Sequence, residues 1–173
     1  MQHFMTTLET KEGWQSLGYF SHSQPEALFF FVHGWGGNPQ DTWFPLSTFL
    51  LNGKHPMDGA FDAIFYSYDS RRQNVATSTE VLATFLRDYL ARPEEAISRA
   101  SNGVVVREGT IRYSRIILCS HSLGTVVSRG ALIRIIDDAG GDPGWGAKVR
   151  QVLFAPAHKG VKVQSLLEKL GEF

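Results

Sequence analysis

Short apolar runs alternate along the chain with segments in which apolar residues recur at helical spacing. Apolar runs that end in glycine or polar residues are typical of strands buried on both faces of a parallel sheet. They predict strands over residues 27–33, 61–68, 111–119 and 149–155. The helical spacing predicts helices over residues 74–90 and 122–136, the second one buried, and a loop over 137–145.

The alternation of strands and helices predicts an α/β fold with a mainly parallel sheet and helices on both faces. Residues 1–25 are expected to add a short antiparallel edge, and apolar positions at Val163, Leu166, Leu167 and Leu170 predict one last helix. Because no linker-like segment divides the sequence, we expect a single domain over residues 1–173.

Composition narrows the classes of function. The 173 residues carry 17 basic and 17 acidic side chains, and this balance argues against a nucleic-acid partner. No apolar stretch approaches the roughly 20 residues of a transmembrane helix, and the amino terminus lacks a secretory signal pattern. The single cysteine, Cys119, fits a reducing compartment and is expected to be a buried apolar residue. The sequence therefore predicts a cytoplasmic protein.

Residues 116–125, IILCSHSLGT, are the most informative segment because an apolar strand runs through small residues into a helix. A nucleophilic serine needs this shape, since its hydroxyl must project from a tight turn at the end of a strand. Ser122 takes that position, flanked two residues away by Ser120 and Gly124. The usual pattern is G-x-S-x-G, so Ser120 departs from it. The alternative is that Ser122 only caps the following helix.

The start of that helix favours negative charge, because its free amides and its dipole point toward the turn. We expect the amide of Leu123 to donate to the oxyanion of an acyl-transfer reaction. His121 adjoins Ser122 but should point in a different direction, which favours packing over the role of base.

A glycine-rich loop follows the first apolar run, with the sequence His33-Gly34-Trp35-Gly36-Gly37. Glycines let the backbone turn and approach a ligand closely. The second oxyanion donor of such a site comes from this strand-to-helix loop, and the amide of Trp35 is the candidate. A simple turn with a packed histidine is the alternative. A phosphate-binding loop is disfavoured, because no Gly-Lys-Ser/Thr follows.

Together these segments resemble the α/β-hydrolase superfamily, and most closely its lipase-like and esterase-like serine hydrolases of the DUF676 type. The resemblance rests on FFFVHGWGG at 29–37, YSYDS at 66–70, CSHSLG at 119–124 and LFAPAHKG at 153–160. It implies hydrolysis of an ester, thioester or amide bond through Ser122, acting on a small-molecule or lipid-like ester without a cofactor. His33, Gly34, Gly36, Ser120 and Gly124 would support the site.

In that superfamily the catalytic acid and then the histidine follow the nucleophile. Here His158 is the only histidine after Ser122, and it directly follows a strand whose family histidine is usually not the base. Asp69, after the second strand, is a distant candidate for the acid. We therefore expect the chain to stop before the acid and base, with a further C-terminal region. The strand at 149–155 would then be an exposed edge prone to association.

The rival interpretation is a hydrolase-like module that binds a ligand or partner without catalysis. Other features of the sequence do not distinguish the serine hydrolase from this binding module. Trp35, Trp43 and Phe44 could line an acyl pocket or belong to the core. The six histidines show no metal-binding spacing, so no metal site is predicted.

Overall fold

The computed structural model describes residues 3–10, 13–51, 60–104 and 109–157. Its strands are β1 (His3–Glu9), β2 (Gln15–Ser21), β3 (Ala27–Val32), β4 (Phe61–Tyr66), β5 (Arg115–His121) and β6 (Val149–Phe154). Its helices are α1 (Pro39–Leu51), α2 (Val75–Ala91), α3 (Pro93–Ala100) and α4 (Gly124–Asp138), and a short 3-10 turn (Gly146–Lys148) precedes β6.

The strands form one sheet in the order β1-β2-β4-β3-β5-β6. β3 pairs in parallel with both β4 and β5, and β5 pairs in parallel with β6. β1 and β2 are antiparallel, and β2 also runs antiparallel to β4. The structure therefore confirms the mainly parallel sheet and the antiparallel edge near the amino terminus.

Helices cover both faces of the sheet, as the sequence predicts. Alternate residues of β3 divide between the faces: Leu28, Phe30 and Val32 join the core beneath α2 and α4. Phe31 joins the smaller cluster on the other face, where Trp43 of α1 packs. Parallel strands covered on both faces need apolar residues at successive positions, and this explains the run ALFFFV.

The predicted strand at 111–119 is shifted in the structure, where β5 covers Arg115–His121. The apolar residues Ile111 and Tyr113 are nevertheless buried, but in the loop that leads into the strand. The predicted helix at 122–136 begins instead at Gly124 and ends at Asp138. Helix α4 is buried on one side only, where it packs against the sheet and α2. On its other side Val126, Ile133 and Ile136 are exposed.

The structure has two helices that the sequence analysis did not predict, α1 and α3. Asn38 caps α1 by accepting a hydrogen bond from the Asp41 amide at 2.8 Å, but Pro45 lies inside the helix and weakens its signal. α3 begins at Pro93, with two glutamates in its first turn, and is only eight residues long. A helix this short offers little periodicity to detect.

β6 lies at the end of the strand order and pairs with β5. Val152 and Phe154 are each 40% exposed, more than in a strand buried on both faces. Association through this strand stays a prediction. The predicted helix around Leu166 lies outside the described residues.

A buried carboxylate ties the strands together at the end of the sheet opposite the β5–α4 turn. Asp62 of β4 is fully buried and accepts hydrogen bonds from the Ser21 amide at 3.0 Å and the Tyr113 hydroxyl at 2.7 Å. The Tyr113 hydroxyl also lies 2.7 Å from that of Tyr89 on α2. Burial, and then the charges beside it, raise the pKa of Tyr113 well above its usual value, so the phenol remains a donor.

We expect Tyr113→Phe to lower the free energy of unfolding by about 1–3 kcal/mol, because it deprives a buried carboxylate of a donor. Tyr19→Phe is the matched control, since the Tyr19 hydroxyl makes no hydrogen bond within the described residues, and it should change stability by less than about 0.5 kcal/mol. Urea denaturation measures both. Equal effects of the two substitutions would contradict the role of the Asp62 cluster.

His33 follows β3 directly and is only 1% exposed. Its Nδ1–H donates to the Gly34 carbonyl at 2.8 Å, and its ring stacks on Tyr68 with centroids 4.5 Å apart. Burial lowers the pKa of His33 below 6.5, although its backbone contacts at Gly34 and Tyr68 oppose the shift. The folded protein therefore holds this imidazole neutral.

The unfolded chain protonates His33 near pH 6.5, whereas the folded chain does so only at lower pH. The stabilising contribution of the neutral His33 should therefore be fully present above about pH 6.5. Below that pH the free energy of unfolding should decrease, by up to about 1.4 kcal/mol per pH unit from this group. Urea denaturation between about pH 7.5 and pH 5 should show a shallower decline for His33→Asn than for the unsubstituted protein. His22→Asn, which replaces an exposed histidine, is the control. An undiminished slope in His33→Asn would contradict this assignment.

Candidate active site

The turn between β5 and α4 holds Ser122 in a backbone conformation that side-chain-bearing residues rarely adopt, with φ at 50°. Such a conformation persists only where the surroundings fix it. The Ser122 amide donates to the Phe154 carbonyl of β6 at 2.9 Å. The Ser122 carbonyl accepts from the amide and the hydroxyl of Thr125, at 3.0 and 2.6 Å. These bonds fix the turn from both sides.

The turn and the loop after β3 approach each other so closely that glycine is required at both contact points. A Cβ atom on Gly124 would lie 2.7 Å from the Val32 carbonyl oxygen and closer still to that of His33. A Cβ atom on Gly34 would lie 2.9 Å from the Ser122 Cβ. Because the obstructing atoms at Gly124 belong to the backbone, they cannot move aside. The predicted positions Ser122, Gly124 and Gly34 thus lie together.

Ser120, where the usual pattern has glycine, is fully buried beneath the turn. Its hydroxyl lies 2.7 Å from that of Ser128 on α4, and Ser128 in turn donates to the Thr125 carbonyl at 3.3 Å. A serine is therefore accommodated because α4 supplies a polar partner. The sequence showed that Ser120 is small. It did not show that Ser128, one turn into α4, provides a hydrogen-bond partner for the Ser120 hydroxyl.

The glycine loop turns sharply after His33, and the Gly37 amide donates to the Gly34 carbonyl at 3.2 Å. Gly36 has a φ of 67°, which favours glycine. Trp35 lies at the tip and is 37% exposed. Within the described residues, the amides of Trp35 and Leu123 donate to no acceptor.

The aromatic residues near the turn divide between core and surface. Trp43 is 5% exposed and lies edge-on to Phe154, with ring centroids 5.5 Å apart, and to His121 at 6.5 Å. The indole N–H of Trp43 is buried and has no hydrogen-bond partner in the part of the chain described. Phe44 is 66% exposed. Trp43 is thus a core residue, whereas Trp35 and Phe44 remain available to a ligand.

Among the described residues, the hydrogen bonds of the candidate acid, Asp69, lie within its own turn. The Asp69 carboxylate accepts from the amides of Arg71 and Arg72 at 3.1 and 3.0 Å, and it pairs with the Arg72 side chain at 3.8 Å. His158 lies outside the described residues. No histidine hydrogen-bonds to the Ser122 hydroxyl across residues 3–10, 13–51, 60–104 and 109–157.

Cys119 is 4% exposed, and burial raises the pKa of its thiol to about 12. It therefore stays protonated and unreactive at neutral pH. In the part of the chain that the structure describes, no three potential ligands cluster to hold a metal ion. None of the helices there has the length and apolar character needed to cross a membrane.

Three residues to which the sequence assigned no role contact the glycine loop, namely Tyr68 and Ser70 of the segment YSYDS and the following Arg71. A signal for them was present, since they follow β4 and β4 is parallel to β3. The carboxyl ends of parallel neighbours meet at one edge of a sheet, where ligands bind in open α/β folds. The polar residues of that segment could have been assigned to the site on this ground.

No protein-family model matches the chain, and no curated protein matches its sequence. Solved structures do match its fold. Naproxen esterase from Bacillus subtilis aligns over 98% of this chain and 50% of its own length, at 13% identity and a TM-score of 0.54. A bacterial heroin esterase covers 90% of this chain and 44% of its own length, at 16% identity and a TM-score of 0.56.

An esterase from the archaeon Pyrobaculum calidifontis covers 90% of this chain and 45% of its own length, at 17% identity and a TM-score of 0.52. The chain therefore spans about half the length of the solved structures that it matches. At these identities the likeness concerns the fold, and the assignment to the DUF676 type stays a prediction. The strand order, the turn at Ser122 and these neighbours together show that this chain has the α/β-hydrolase fold.

Proposed function

We propose that the protein is a serine hydrolase that cleaves an ester-type bond through an acyl-enzyme on Ser122. The observation that carries the proposal is the strained conformation of Ser122 at the end of a parallel strand, with φ at 50° and the glycine loop packed against it. Strain of this kind is retained where function needs it, and a nucleophile elbow has this geometry.

The chemistry follows from the groups around the turn. The Ser122 hydroxyl oxygen attacks the substrate carbonyl carbon while its proton passes to a base, and the carbonyl oxygen becomes negatively charged. The free amides of Trp35 and Leu123 would donate to that oxygen, and the start of α4 adds a favourable dipole. Collapse expels the alcohol, which takes the proton, and water then hydrolyses the acyl-enzyme by the same steps.

The base and the acid are the parts of this proposal with the least support among the described residues. His158 remains a candidate base and Asp69 a distant candidate acid. Asp69 would have to give up hydrogen bonds to two amides, and this makes it the weaker assignment. Among the described residues no histidine hydrogen-bonds to the Ser122 hydroxyl, so the base is the part of the proposal that experiment has to identify.

We infer that the substrate is a small or lipid-like ester. Trp35 belongs to the glycine loop that packs against Ser122, and the Phe154 carbonyl accepts from the Ser122 amide; their side chains are 37% and 40% exposed. Such partly exposed aromatic side chains bind apolar acyl or aryl groups by burying their surface. Two of the neighbouring structures are a naproxen esterase and a heroin esterase, and these names are consistent with a small ester as the substrate.

A non-catalytic module that binds an ester-like ligand is the second candidate. It is favoured by one observation, namely that no described histidine reaches the Ser122 hydroxyl. Without a base the serine stays protonated and is a weak nucleophile. The two candidates differ in whether Ser122 forms a covalent bond and in how fast that bond turns over.

Ser122 should be the residue that reacts with a fluorophosphonate probe, because it occupies the strained turn between β5 and α4, the position of the nucleophile in this fold. Intact-mass and peptide mass spectrometry locate the adduct. Ser122→Ala should abolish labelling, whereas Ser114→Ala, which removes an exposed hydroxyl just before β5, should leave it unchanged. Labelling that persists in Ser122→Ala would refute the assignment.

The chain alone should hydrolyse p-nitrophenyl esters slowly, because no described base activates Ser122. Residual acceleration through the oxyanion donors should reach about 10³-fold over water at most. Steady-state and burst kinetics measure this rate. Turnover near the roughly 10 s⁻¹ of ordinary enzymes would show that the base lies within the chain. His158→Ala would then be the variant that identifies it.

A further inference from the structure

The segment that follows β4 contacts the glycine loop at three successive points. Tyr68 meets the loop at His33, Ser70 meets it at Gly36, and Arg71 lies over Trp35. We call Tyr68, Ser70 and Arg71 the β4 brace. None of these side chains takes part in the proposed chemistry, so their convergence on one loop needs a separate explanation.

Ser70 makes the central contact. Its hydroxyl oxygen accepts a hydrogen bond from the Gly36 amide at 2.8 Å, and the side chain is buried, with 6% of its surface exposed. The Gly36 amide belongs to the peptide group that joins Trp35 to Gly36. Because a peptide group is planar, holding this N–H orients the whole group. This restricts the ψ angle of Trp35, the torsion that links this group to the Trp35 amide.

Tyr68 fixes the other end of the loop. Its hydroxyl donates to the His33 carbonyl at 2.9 Å, and burial raises its pKa far above its usual value, so it stays a neutral donor. The same carbonyl is the one against which Gly124 packs. Tyr68 thereby holds the point where the glycine loop contacts the start of α4.

Arg71 covers the tip of the loop. Its guanidinium carbon lies 5.8 Å from the centroid of the Trp35 ring, within reach of a cation–π interaction. It also lies beside Gly36, where a Cβ atom would be 3.3 Å from two guanidinium nitrogens. The Asp69 carboxylate accepts from the amides of Arg71 and Arg72, and this shapes the turn that presents the brace.

We propose that the β4 brace positions the oxyanion loop, with Ser70 as the positioning residue that orients the Trp35 amide toward the reacting carbonyl oxygen. The inference rests on the proposed function, since it assigns a task to that loop. Pre-oriented donors speed acyl transfer because they need no reorganisation when charge develops. Ser70 acts through the loop and does not touch the substrate.

The test compares Ser70→Ala with Ser70→Thr, which keeps a hydroxyl acceptor, and with Ser114→Ala as a matched control. The Ser114 hydroxyl likewise bonds to the backbone, but it donates to the Glu26 carbonyl and lies before β5, at the end of that strand opposite Ser122. The first measurement is the kinetics of Ser122 phosphonylation by a fluorophosphonate. Ser70→Ala should lower the maximal rate constant about 10-fold with unchanged probe affinity. The reason is that a poorly oriented Trp35 amide stabilises the transition state less, where negative charge develops, but does not change probe binding.

Ser70→Thr should recover most of that rate, and Ser114→Ala should retain all of it. The second measurement, hydrogen exchange at the Gly36 amide, does not depend on any reaction of Ser122. Ser70→Ala should accelerate this exchange about 10-fold or more, because the amide loses its acceptor. Unchanged exchange in Ser70→Ala would overturn the proposal, and so would faster exchange with an unchanged phosphonylation rate.

Different results would contradict the role of Ser122 as nucleophile and the role of Ser70 in positioning the loop. An unsubstituted protein that never forms an adduct at Ser122 would contradict the proposed function. The exchange measurement would still decide whether Ser70 holds the loop. A uniform loss of thermal stability in Ser70→Ala that Ser70→Thr does not reverse would indicate a general packing role and would also overturn the proposal.

Discussion

The site depends on one steric constraint, the close approach of two backbones where β3 and β5 end. The start of α4 passes so near the end of β3 that Gly124 has no room for a Cβ atom against the carbonyls of Val32 and His33. Gly34 is held in the same way against Ser122. Larger residues at either position would separate the glycine loop from the serine. The proposed oxyanion site, with the amides of Trp35 and Leu123 directed at one oxygen atom, could then not form.

The sheet provides this approach because β3 and β5 are parallel neighbours in register, with Val32 opposite Ser120. Their carboxyl ends therefore lie side by side, and β6 on the far side supplies the carbonyl of Phe154 that holds the Ser122 amide. The strained turn costs on the order of 1–3 kcal/mol. Hydrogen bonds to Phe154 and Thr125, worth about 1 kcal/mol each, offset much of that cost.

Local signals in the sequence were enough to find the parts of this arrangement that lie within a few residues of each other. The apolar run ending at His33 predicted β3, and the small residues around Ser122 predicted the turn. The strand predicted at 111–119 was shifted because buried residues such as Tyr113 serve the Asp62 cluster rather than the strand. Apolar character alone does not separate these two uses.

Partners that are distant in the sequence could not be predicted. The Ser120–Ser128 contact requires knowing how α4 lies on β5, and the contact between Ser70 and Gly36 joins residues 34 positions apart. α1 escaped detection because Pro45 interrupts its pattern, although Asn38 caps it. The same limit applies to the catalytic base, which sequence order alone could not assign. Among the described residues no histidine hydrogen-bonds to the Ser122 hydroxyl.

The central claim is that Ser122, Trp35 and Leu123 form one site around a single oxygen atom. The most direct measurement is a crystal structure of the protein after reaction with a small alkyl fluorophosphonate. The account predicts an adduct on Ser122 whose phosphoryl oxygen lies about 2.7–3.1 Å from the amide nitrogens of both Trp35 and Leu123. An adduct on another residue would contradict the account, and so would a phosphoryl oxygen directed away from these two amides.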